Sequence, residues 1–133
     1  LAVEKVIPVK GALTAMGVAY DHESGYAYVV AQGSDNLLIV DTKSGETLYN
    51  VPVGAGALNV TFDPVNKLAF VSSRGAGTVT AVSPDGEIVA NLDNGSNPNH
   101  LTTDGKGEIF AVNKSRGDND PVGDRITRIA PSE

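Results

Sequence analysis

The residues of this chain whose types could do chemistry are two histidines, a short run of aspartates and three late arginines. His22 follows Asp21 in what reads as a turn, so its ordinary role is that of a solvated loop residue. His100 follows Asn99 and falls at a repeat position shared with Gly17 and Asn59, where it would titrate or ligate if that position lined a channel. The two histidines lie too far apart in sequence to form a metal-site spacing, and a plain polar wall residue is the simpler expectation for His100. The segment SRGDNDPVGDR, Ser115 to Arg125, places Asp118, Asp120 and Asp124 at spacings that could offer oxygen ligands to Ca²⁺. The glycine and closing glutamate of the helix-loop-helix calcium pattern are missing, so a solvated loop balanced by Arg116 and Arg125 is expected, and no metal. Arg116, Arg125 and Arg128 form a loose basic cluster, and the embedded Arg116-Gly117-Asp118 tripeptide is short enough to arise by chance. Ser and Thr are abundant, yet there is no G-x-S-x-G elbow and no third residue paired with a histidine, so no catalytic residue is assigned.

Composition narrows what these groups can serve. Ten basic and 16 acidic residues give a formal net charge of -6, adverse to a broad phosphate-tracking surface. Nucleic acid is therefore an unfavoured partner, and aromatic stacking platforms would be few. Without cysteine there is no disulfide framework, thiolate nucleophile or cysteine metal site. No apolar run approaches the roughly 18 residues of a membrane span, so no membrane partner is expected. The first residue is Leu1, which points to a processed chain or a fragment. Sequons at Asn59, Asn94 and Asn113 would matter only in a eukaryotic secretory setting.

The elements that must position these residues are short strands. Fifteen glycines and seven prolines separate segments rich in Val, Ile, Leu, Thr, Tyr and Phe, and no window holds a convincing 3.6-residue period. The segments repeat. GVAYDHESGYAYVV (Gly17 to Val30) returns as NVTFDPVNKLAFVSS (Asn59 to Ser73) and, more worn, as HLTTDGKGEIFAVNK (His100 to Lys114). The turn residues Asp21, Asp63 and Asp104 lie 42 and 41 apart, about one four-stranded propeller blade. LLIVDTKSGETLYNVPVG (Leu37 to Gly54) is answered by VTAVSPDGEIVANLDNG (Val79 to Gly95), with Gly45 falling on Gly86 as the residue able to take a positive φ.

These spacings predict an all-β chain of four-stranded antiparallel meanders, about three blades of a larger propeller ring: blades over 14–54 and 55–95 and an incomplete last blade over 96–133. Residues 1–10 are expected to be an outer strand of a preceding or closing blade, because Glu4 to Val9, EKVIPV, resembles TLYNVPV. Ile126 to Ala130 reads as a third strand with no fourth after it. Three blades would leave an open flank, since closure takes about four. Tyr28, Phe70 and Phe110 should then hold equivalent places in successive sheets.

The repeats, together with a last unit that opens N-P-N, carries an acidic insertion and closes D-R-I-T-R-I-A, resemble the YncE-like family of YVTN-repeat β-propellers. The resemblance covers nearly the whole chain. It implies a seven-bladed ring, of which this would be the C-terminal three blades, and an exported, periplasmic or secreted setting. It supplies no catalytic motif and no cofactor. The expectation is a noncatalytic binding scaffold that presents loops and a channel mouth, with Asn59, Asn99 and His100 there, to a protein, peptide or small ligand. The remaining blades would come from the same gene product or another chain. A propeller hydrolase or lactonase with a channel site, and a nucleic-acid-binding propeller, are the alternatives.

Overall fold

The computed structural model describes residues 1–132; Glu133, the last residue of the expected third blade, lies outside the described residues. Eleven strands form three separate antiparallel sheets, and no helix occurs among the described residues. The first sheet is β1 (Ala15–Asp21), β2 (Tyr26–Ala31), β3 (Asn36–Asp41) and β4 (Thr47–Pro52), in that spatial order. The second repeats it with β5 (Ala57–Asp63), β6 (Leu68–Ser73), β7 (Thr78–Val82) and β8 (Ile88–Asp93). The third contains β9 (Pro98–Thr103), β10 (Ile109–Asn113) and β11 (Arg125–Ile129). Each is a meander in which consecutive strands pair, as hairpin-length turns require. The chain is thus built of propeller-type blades stacked side by side.

Pairing fixes the equivalences between blades. Tyr28 sits opposite Ala19 and Ile39, Phe70 opposite Thr61 and Ala81, and Phe110 opposite Thr102 and Arg128. The three aromatics hold the same position in successive sheets, as the repeat predicts. The links that enter the inner strands repeat too. Thr14, Gly56 and Asn97 all have positive φ, and their carbonyls accept from the amides of Gln32, Arg74 and Lys114. Only Gly56 takes that conformation without steric cost, so Thr14 and Asn97 are held there by the surrounding bonds.

Two apolar layers bind the sheets. Between the first and second, Tyr28 stacks on Phe62 at 5.0 Å and 20°, flanked by Val30, Ile39, Val60 and Val71. Between the second and third, Phe70, Val79 and Ala81 meet Leu101, Ile109 and Ala111. Strand alternation explains the division: one parity of each sheet faces the preceding blade, the other the following one. Glu4 to Val9, expected as an outer strand, forms no strand here. The Lys5 ammonium donates to the carbonyls of Thr42 and Lys43 beside the first sheet, and none of the three sheets among the described residues takes the segment in as a strand.

Candidate functional site: the inner strands and their turns

The inner strands β1, β5 and β9 bring Asn59 and His100 to one level, the residues paired with Ser72 and Val112, with Gly17 equivalent to both. Asn59 does not stand free at a channel mouth. Its side-chain oxygen accepts from the Leu101 amide at 3.1 Å, bridging the second blade to the third. Gly17 has no side chain to make this bridge. A Cβ there would lie 3.4 Å from the Leu58 carbonyl oxygen and 3.5 Å from the Asn59 Cα, so the backbone of the second blade packs directly against Gly17. Asn99 is half-buried, and His100 is exposed on the side of β9 away from the second blade.

At the opposite ends of these strands the turn carboxylates serve the backbone. Asp21 accepts from the Glu23 amide, Asp63 from those of Val65 and Asn66, and Asp104 from those of Lys106 and Glu108. This local capping is the reason Asp suits the turn. Burial raises the Asp21 carboxyl, but hydrogen bonds from Ser24 and Glu23 and the charge of Lys67 outweigh it and hold the group below the usual carboxylate range. Asp104 is held down by the Lys106 and Glu108 amides.

Around these turns Tyr20, His22, Glu23, Phe62, Lys67 and Thr103 line an open cleft of about 620 Å³ that draws on all three blades. Lys67 pairs with Glu23 across the first two blades, and Tyr20 meets the His22 ring edge-on at 6.3 Å. Sequence reasoning set His22 aside as a loop residue and placed the candidate site at the other strand ends. The legible signal was the repeat itself, which lines up the Tyr20, Phe62 and Thr103 positions.

The remaining candidates separate. Asp120 accepts from the Arg116 and Val122 amides, and Asp124 from that of Ser115, while Asp118 is exposed. The Ser96 hydroxyl and the Arg116 and Val122 amides keep the Asp120 carboxyl low. These carboxylates order the insertion, and no cluster of three or more potential metal ligands forms among the described residues. The arginines do not make one patch. Arg125 and Arg128 stand three residues apart on β11 and so point to opposite faces, Arg128 is paired with Glu108, and Arg116 lies out on the loop. Two of the three sequon asparagines are internal. Asn113 donates to the carbonyls of Asn94 and Ser96 and accepts from the Asn94 amide, a buried network that pins the link before β9 to β10.

No family model and no curated protein matches the chain. Among solved structures it is similar to one titled Kuenenia stuttgartiensis Hydrazine Synthase, at a TM-score of 0.76 and 16% identity. The match covers 87% of this chain and 34% of that one, so the chain spans about a third of the length of that structure. At that identity the likeness is one of fold, and it agrees with the blade architecture.

Proposed function

We propose that this chain is a noncatalytic binding scaffold of the YncE-like, YVTN-repeat kind, acting in the periplasm or outside the cell. The observation that carries the reading is the cleft at the inner-strand turns. It joins two aromatic rings, a histidine, a lysine–glutamate pair and a threonine from three blades, a mixed apolar and polar lining suited to holding a peptide or small ligand. Of the polar groups that a hydrolytic reading would draw on, Asn59 bridges blades and the turn aspartates cap amides.

Selection of short peptides from a displayed library against the folded chain, followed by calorimetry, tests this. Tyr20→Ala and His22→Ala should each weaken a selected peptide by about tenfold, the loss typical of a contact that matters. Turnover of a lactone or ester that disappears in His100→Ala would overturn the proposal in favour of a propeller hydrolase.

A further inference from the structure

An asparagine pair latches the link between the second and third blades, and we infer that this latch is also a modification site: Asn94, followed by Gly95, deamidates when the latch opens, and the product does not close it again. Of the asparagines in the chain, only Asn94 precedes a glycine. That neighbour favours the reaction, because glycine has no Cβ to obstruct its backbone nitrogen as it approaches the preceding side chain. In the first step the Gly95 nitrogen bonds to Asn94 Cγ; the proton it sheds and the Asn94 Nδ2 group leave together as ammonia. Water then opens the five-membered imide at either carbonyl. One route gives aspartate, the other isoaspartate with the backbone running through the side chain. Water is the only co-reactant.

The closed latch keeps the participants apart. Asn94 is 8% exposed, and its Nδ2 donates to Asn113 Oδ1 on β10 at 3.1 Å. Its backbone amide donates to the Gly77 carbonyl, and the Gly95 amide donates to Asp93 Oδ1 at 3.1 Å. Ring closure requires the Asn94 side chain to turn back over its own backbone and so to leave Asn113. The partner is fixed in the opposite sense. Asn113 Nδ2 donates to the carbonyls of Asn94 and Ser96, which orients the amide with Oδ1 toward Asn94. That oxygen needs a donor from residue 94, since flipping Asn113 would strip both carbonyls of theirs. Deamidation puts a charged acceptor where the donor stood. Asn113 is 2% exposed, so its oxygen is left as a buried acceptor without a partner. Arg125 and Asp93 line a shallow cleft of about 180 Å³ over the same link, which admits water for the second step. The Arg125 guanidinium draws the new carboxylate outward, further from Asn113. The link is also under tension, with positive φ at Asn97 as well as at Gly95. A junction that opens long enough to react therefore stays unlatched.

Peptide mapping by mass spectrometry tests this on the full chain, incubated at mildly alkaline pH with and without unfolding urea. It follows the mass gain of amide-to-acid conversion at residue 94 and separates aspartate from isoaspartate by retention. Conversion should be at least about tenfold slower in the folded chain, where it waits on local opening. Asn113→Ser, which removes the latch, should speed conversion in the folded chain and leave the rate in urea unchanged. Asn94→Asp makes one product directly and should lower the urea midpoint. Asn119→Asp, the same change at an exposed residue of the insertion, should leave the midpoint in place. If Asn113→Ser does not fold, the rate ratio of the unaltered chain and the Asn94→Asp midpoint still decide. Equal rates in the folded and unfolded chain, a folded Asn113→Ser chain that converts no faster, or an Asn94→Asp midpoint equal to that of the unaltered chain would each overturn the inference.

Discussion

Replacing Asn59 by Ala isolates the polar bridge between the second and third blades. The Leu101 amide that Asn59 accepts belongs to a residue only 4% exposed and has its partner in that side chain at 3.1 Å. Removing the acceptor leaves a nearly buried donor without a protein partner, a desolvation cost of about 1–3 kcal/mol. Asn59 is half-buried, so water can enter part of the vacated space, and the lower half of that range, ~1–2 kcal/mol, is expected. Urea unfolding followed by circular dichroism reads this directly. With a denaturant slope of about 2 kcal/mol/M, the midpoint should fall by roughly 0.5–1 M. Asn59→Asp keeps the acceptor and should lose less than half as much. If Asn59→Asp proves as costly as Asn59→Ala, or if Asn59→Ala shifts the midpoint by less than ~0.2 M, the bridge does not hold the blades together.

Other perturbations address the remaining contacts. Phe62→Ala removes one partner of the Tyr28 stack from a site 6% exposed and should cost ~3–5 kcal/mol in thermal or urea unfolding, with Phe62→Leu well below that. Gly86→Val places a branched side chain at φ 83° with a Cβ 3.0 Å from the Tyr49 ring, so it should destabilise by more than the ~1–2 kcal/mol of the left-handed conformation alone. The carboxyls of Asp21, Asp104 and Asp120 are all lower in the folded chain than in the unfolded one, whose value is about 3.9. Their contribution is therefore full above that value and is lost as pH falls through it toward the folded values. Unfolding midpoints should be level near neutrality and drop in acid, and Asp104→Asn should make the drop shallower. A drop unchanged in that variant would remove Asp104 from the account.

Much of the fold was legible because a blade is written twice, once in alternation and once in period. The repeat puts Tyr28, Phe70 and Phe110, 42 and 40 residues apart, on matching strands, and the strand pairing of the three sheets agrees. Residues 4–9 show the limit. Their sequence has the alternation of an outer strand, but strand structure also needs a neighbour with free amides and carbonyls, which this flank does not offer. Local pattern can state what a segment is suited to pair with, while pairing itself depends on what stands beside it.

The candidate site was less legible for a related reason. Asp, Asn and Ser are the residues of binding sites and also of turns, and sequence does not say which partner each will choose. Asp120 and Asp124 had the oxygen spacing of a cation loop, and they spend it on the amides of Arg116, Val122 and Ser115, the nearest donors in a segment without a ladder of its own. Asn59 had the placement of a channel residue and is drawn to the Leu101 amide of the neighbouring blade. In each case the backbone's unpaired donors, which do not appear in a residue pattern, decided the outcome. The groups left over at the turns, Tyr20 and His22 with Phe62 beside them, have no amide to serve and line the open cleft instead.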